Sequence, residues 1–198
     1  NKDIKLRNSM RIAFIIYNDL TTLDFIGAYD PLTRIKTMGF SNQIECDVCS
    51  FTDRVISVEG LEIVPTKVKN DLSNYDYVII PGGKGIFELM KNKEFLDWLR
   101  KIPDTTVIST VCYASLLLGA IGKLKGKKAT THRVVMEELK KYTDKVSDCR
   151  IVQDGNIITA RGVSSAIDLG LYLCEKIVGK EIREKIQVQM DYLNYTVC

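Results

Sequence analysis

Histidine is nearly absent from this sequence: His132 is the only one in 198 residues. Any cysteine–histidine catalysis would have to use it, and a histidine-rich metal site is excluded. Apolar runs of membrane-spanning length are also missing. The polar, charged segment Asn1 to Ser9 has no apolar stretch that could serve as a signal peptide. It is read as a tag-like or short disordered extension (1–9) before a single domain over 10–198. A strong charge of either sign is lacking too. The formal net charge is +3, and the lysines and arginines are scattered along the chain, so nothing points to nucleic acid or membrane as a partner. Internal repeats, low-complexity stretches and linkers are absent.

What is present is an ordinary soluble composition, 45% hydrophobic and 27% charged, with enough length to bury a core. There are six cysteines: Cys46, Cys49, Cys112, Cys149, Cys174 and Cys198. A chain of this size needs no disulfide framework, so the expectation is six reduced thiols and a cytoplasmic protein. Cys46 and Cys49 form a C-x-x-C, but without a second pair and within a strand-like run whose alternation separates them, so no metal site is assigned.

The hydrophobic pattern alternates strand and helix. Arg11–Tyr17 is a continuous apolar run suited to a buried parallel strand. Asp24–Lys36 has helical spacing, with Phe25, Ala28, Leu32 and Ile35 on one stripe. Strands are expected at Ile44–Phe51, Leu61–Thr66, Tyr75–Ile80 and Thr105–Val111, and helices at Ile86–Lys101, Tyr113–Ile121 and Val134–Lys141. A hairpin is expected over Asp148–Thr159 around Asp154-Gly155. Helices Ser164–Val178 and Glu181–Tyr192 close the chain. This order predicts an open α/β fold, a mostly parallel sheet with helices on both faces.

In such sheets ligands bind beyond the carboxyl ends of the strands. Three features fall there. Cys112 ends an apolar β run and begins a helix, where a side chain is pushed into the crevice and the helix N-terminus favours thiolate; a small buried filler fits that position as well. Gly82 and Gly83 follow the Tyr75–Ile80 strand and can aim backbone amides at an anion, or simply turn the chain. Asp24 reads more readily as a helix cap than as a thiol partner. His132, after Thr130-Thr131, reads more readily as structural than as catalytic.

Longer motifs carry a resemblance. They are LDFIG (Leu23–Gly27), IPGG (Ile80–Gly83), Val111-Cys112, the run LLLGAIGKLKGKKATTH (Leu116–His132) and DGNIITARGVSSAID (Asp154–Asp168). Across Met10 to Tyr195 the chain resembles the ThiJ/PfpI superfamily of glutamine-amidotransferase-like, flavodoxin-type folds. It looks most like the isonitrile hydratase branch and the sensor domain of AraC-type regulators. The resemblance implies a flavodoxin-like three-layer sandwich, with Cys112 as nucleophile and Asp24 as its acidic partner where most branches use glutamate. It also implies oxyanion or substrate contacts at Gly82, Gly83, Tyr113, Thr131 and His132, no metal or organic cofactor, and a homodimer. Activity on an isonitrile is the leading expectation. A glyoxalase III or deglycase activity on aldehydes and a ligand or oxidation sensor are the alternatives. AraC-type regulators carry a DNA-binding domain after this one, so with the sequence stopping at Cys198 a self-contained regulator is not expected. Two departures stand out: Tyr113-Ala114 replaces a threonine–glycine pair after the cysteine, and Ala28 replaces a proline. Tyr113 also disfavours the PfpI-type peptidases, which carry histidine there.

Overall fold

A computed structural model describes residues 9–198. Apart from Ser9, the expected extension over 1–9 falls outside the described residues. The apolar runs form the strands of one seven-stranded sheet. These are β1 (Met10–Ile16), β2 (Ile44–Ser50), β5 (Lys67–Val68), β6 (Tyr77–Ile80), β7 (Val107–Val111), β8 (Ile151–Asp154) and β9 (Ile157–Ala160). The order is β5-β2-β1-β6-β7-β9-β8, parallel throughout except for the β8–β9 pair. Ile12 to Ile16 are fully buried, as a strand covered on both faces requires. From β1 the chain moves outward to β2 on one side and later returns to β6 on the other. A crevice therefore opens at the carboxyl ends of β1 and β6.

Helices pack around this sheet: α1 (Thr22–Thr37), α2 (Ile86–Leu89), α3 (Lys93–Arg100), α4 (Ser115–Ala120), α5 (Met136–Leu139), α6 (Ser165–Val178) and α7 (Lys180–Gln189). The predicted stripe of Phe25, Ala28, Leu32 and Ile35 is buried. Helices α1 and α6 meet through small residues: a Cβ at Gly27 would sit 2.8 Å from Ala166 Cβ, and one at Gly170 would overlap Pro31. This close crossing sets where the first turn of α1, and Asp24 within it, stands. Among the described residues no helix is long and apolar enough to cross a membrane.

Several expectations are corrected. Leu61–Thr66 is not a sheet strand; only Glu62–Ile63 (β4) pairs, antiparallel with Val55–Ile56 (β3), in a separate two-stranded ladder. Pro65, two residues further on, has no N–H to extend it. The helix over Ile86–Lys101 is two helices, because Asn92 accepts the Phe95 N–H at 3.1 Å and starts α3 afresh. The hairpin turn is Gly155-Asn156, one residue later than expected, since Asp154 still pairs with Ile157. Gly155 supplies the positive φ of +59°.

The cysteines are not all reduced: Cys149 and Cys198 form a disulfide across 49 positions. The C-terminal segment runs back beside β8, where Ile151 N–H donates to Val197 O at 2.9 Å. The buried Asp168 carboxylate holds it by accepting from Thr196 N–H at 3.1 Å and Tyr192 OH at 3.2 Å. This return is a long-range arrangement with no local signature.

Gly170→Ala is expected to wedge α1 from α6 and lower stability by roughly 1–3 kcal/mol, read as a reduced midpoint in urea unfolding. An unchanged midpoint would show that the crossing is not tight.

Candidate active site

Four strand ends deliver the site. After β1 come Tyr17 and Asp24, after β6 Pro81 to Gly83, after β7 Cys112, and after β9 Arg161 and Gly162. Cys112 occupies the left-handed region, with φ +59°, a conformation that costs a residue with a side chain about 1–3 kcal/mol. Its backbone is tied on both sides: Cys112 N–H donates to Arg161 O at 3.1 Å, and Thr131 Oγ1–H donates to Cys112 O at 2.8 Å. Those bonds hold the sharp strand-to-helix turn that points the thiol inward, leaving the residue only 3% exposed.

Two glycines make room. A Cβ at Gly82 would lie 2.6 Å from Cys112 Cβ and 2.7 Å from Asp24 Oδ2; one at Gly162 would lie 3.0 Å from Cys112 Sγ and overlap the His132 ring. Gly82 N–H donates to Asp24 Oδ2 at 3.0 Å. Asp24 is fully buried, and its Oδ1 makes no conventional hydrogen bond. The carboxyl and the Cys112 thiol stand together against Gly82, close enough for each to shift the ionisation of the other.

Electrostatics follow from burial. Desolvation pushes the Asp24 carboxyl up to about 7, helped by the Glu59 charge and opposed by Gly82 N–H and the Cys112 thiol. Burial and the Asp24 charge push the Cys112 thiol well above its ordinary range, with only the Tyr113 N–H pulling the other way. The expected lowering by the helix N-terminus is thus outweighed; the helix here begins as a single 3₁₀ turn, Cys112–Ala114. Tyr17, whose OH donates to Pro81 O, is buried beside both acids and is held protonated by desolvation and their charges.

The other predicted residues fall as follows. Asp24 is not the helix cap: Thr21 occupies that position, and the Asp24 side chain turns to Gly82 instead. The Gly82 N–H is committed to Asp24, so Gly82 clamps the acid rather than offering an amide to a ligand. Gly83 takes φ +141°, and its N–H has no acceptor among the described hydrogen bonds. Thr131 positions the Cys112 carbonyl. His132 Nδ1 accepts the Val134 N–H at 3.1 Å, capping a short turn, and burial lowers its pKa. The neutral ring therefore carries its proton on Nε2. The Tyr113 ring lies between Phe87 and His132, with centroids 5.5 and 5.4 Å away. Tyr17, Phe87, Arg161 and Gly162 went unmarked in the sequence. Arg161 and Gly162, both inside the Asp154–Asp168 motif, carried a signal that could have found them.

Cys46 and Cys49 both lie in β2, and burial raises both thiols. No cluster of three or more His, Cys, Asp or Glu that could hold a metal occurs among the described residues.

A mostly parallel α/β sheet, carrying a cysteine on a strained strand-to-helix turn beside a buried carboxyl, defines the class. The DJ-1/PfpI family model matches residues 10–176, and the chain belongs to that family. It is 32% identical to isonitrile hydratase of Pseudomonas putida over 93% of this chain and 79% of that protein. It is 30% identical to DJ-1alpha of Drosophila melanogaster over 96% and 86%. The crystal structure of a ThiJ/PfpI family protein from Pseudomonas syringae superposes with a TM-score of 0.85 at 27% identity, covering 98% of this chain and 81% of that one.

The raised Asp24 has a thermodynamic signature. Its folded pKa lies about 3 units above the unfolded value, from 3.8 to about 7. The folded state therefore binds more protons between those limits, and stability falls as pH rises from about 4 to 7, by up to roughly 4 kcal/mol. Asp24→Asn should flatten this dependence and be the more stable protein at pH 8, as measured by denaturant titrations at several pH values. Parallel curves for both proteins would contradict the assignment.

Proposed function

We propose that this protein is a cysteine enzyme that hydrates an isonitrile, R–N≡C, to the formamide R–NH–CHO, with Cys112 as nucleophile and Asp24 as the proton carrier. The observation that carries this reading is the buried pair itself. A thiol and a carboxyl whose pKa is about 7 adjoin each other against Gly82, whose N–H clamps one carboxyl oxygen while the other is left without a conventional partner. Such a pair can move one proton many times without a bulk base. Similarity to an isonitrile hydratase at 32% identity supports the reading.

With one proton on the pair, Sγ adds to the terminal isonitrile carbon. The thiol proton passes through Asp24 to that same carbon, giving the thioimidate Cys112–S–CH=N–R. Asp24, again a carboxylate, takes a proton from water as the water oxygen adds to the carbon, and delivers it to nitrogen. The adduct Cys112–S–CH(OH)–NH–R then loses its C–S bond. The hydroxyl proton returns through Asp24 to sulfur, and the formamide leaves. The N–H groups of Tyr113, which bears on the Cys112 sulfur, and Gly83 are the donors assigned to the charge that develops in these steps. The expected homodimer belongs to the same proposal, and sedimentation should find a two-chain particle.

Below about pH 7 both members of the pair are protonated, so kcat/KM should fall on the acid side with a midpoint near the Asp24 pKa. Formamide production from alkyl and aryl isonitriles, followed by NMR, should vanish in Cys112→Ala and drop at least about 100-fold in Asp24→Asn. No turnover of any isonitrile, with methylglyoxal consumed by the wild type but not by Cys112→Ala, would assign the site to aldehydes. Peroxide adding oxygen to Cys112 with neither substrate turned over would make it a sensor.

A further inference from the structure

A cavity of about 230 Å³ lies beside the thiol, lined by His132, Arg133, Arg161 and Gly162. Its relation to the nucleophile is set by Gly162, where a Cβ would come within 3.0 Å of Cys112 Sγ. Gly162 thus both lines this cavity and adjoins the sulfur, with the His132 ring packed against it. The lining is cationic. Arg133 stands largely in solvent, whereas the Arg161 side chain is only 19% exposed. The neutral His132 ring adds an N–H donor at Nε2.

A carboxylate of the chain already uses part of this cationic set. Asp148 Oδ1 accepts from Arg161 Nη1 at 2.6 Å and lies 3.6 Å from Arg133 Nε. Asp148 is itself mostly exposed, so one carboxylate spans both guanidiniums at a place open to solvent. The rest of the site has the opposite sign: Asp24 is buried under Cys112, and Glu59, bonded to Thr22 Oγ1 at 2.6 Å, adds its charge on the α1 side. A negatively charged substituent is therefore repelled from the α1 wall and attracted to the Arg133–Arg161 wall. Guanidinium forks also favour planar two-oxygen anions.

We propose that the Arg133–Arg161 cavity is a carboxylate subsite, so that the compound attacked by Cys112 is a small molecule bearing a carboxylate next to its reactive carbon. This names the substrate class of the proposed hydratase and rests on that reading for the reaction, though not for the recognition.

The test separates the two. Alkylation of Cys112, followed by peptide mass, compares iodoacetate with iodoacetamide. In each case an S–CH₂ bond forms, iodide leaves and the thiol proton goes to Asp24. Free thiols react faster with the neutral reagent. Here iodoacetate should react faster and saturate, and Arg133→Gln should lower the iodoacetate-to-iodoacetamide rate ratio about tenfold; Arg133 is exposed, so the variant is expected to fold. Isocyanoacetate and its ethyl ester supply the matching turnover pair, with the anion preferred through KM and the preference lost in the same variant. Faster iodoacetamide in the wild type, or a ratio unmoved by Arg133→Gln, overturns the subsite. An intact, Arg133-dependent iodoacetate preference without turnover of either isonitrile keeps the subsite and removes the hydratase reading.

Discussion

Two acids buried in one desolvated space, with room for a single negative charge, set the terms for the rest of this site. Asp24 and Cys112 are each pushed toward their protonated forms by burial; the Asp24 charge further opposes ionisation of the thiol, while the thiol proton favours the Asp24 carboxylate. Together they hold one mobile proton, and Gly82 N–H favours the carboxylate form of Asp24. The near-neutral value reached by Asp24 comes from its surroundings, because an exposed aspartate titrates about three units lower.

The fold supplies the means to hold this arrangement. The crevice lies where strand order reverses at β1, so three neighbouring strands, β1, β6 and β7, converge on it from their carboxyl ends. Glycines sit where a Cβ would touch the Cys112 and Asp24 side chains. The strained Cys112 backbone is restrained by bonds from two unrelated segments, through Arg161 O and Thr131 Oγ1. Strain on the order of 1–3 kcal/mol persists only where neighbours over-determine it. Here the neighbours are the end of β9 and the segment ahead of His132.

Much of this was legible in advance, and the reasons are specific. The buried strands announce themselves as uninterrupted apolar runs, and Cys112 as the end of one. The α1 stripe is legible because its period is helical. Asp24 was harder: a carboxylate in a first helical turn has a local role available as a cap, and only the tertiary approach of Gly82 turns it elsewhere. The split of the helix at Asn92 was legible in principle, since asparagine is a good cap, but an amphipathic pattern running across the break masked it. The Cys149–Cys198 bridge was not legible. Composition argued that the chain had no need of it, and its partners meet through the folding back of the last residues.

That bridge is not remote from the chemistry. A loop of about 50 residues closed by a disulfide lowers unfolded-state entropy by an amount worth roughly 4 kcal/mol in the chain-entropy picture. Its effect is applied at a particular place. Cys149 adjoins Arg150, whose carbonyl accepts Arg161 N–H at 2.9 Å, and Arg161 O in turn receives Cys112 N–H at 3.1 Å. The Arg150 side chain also pairs with buried Asp168, which anchors the returning tail through Tyr192 and Thr196. Two backbone hydrogen bonds thus separate the covalent closure of the chain from the strained turn that presents the thiol. The C-terminal residues, far from Cys112 in sequence, belong to the structure that holds it in place.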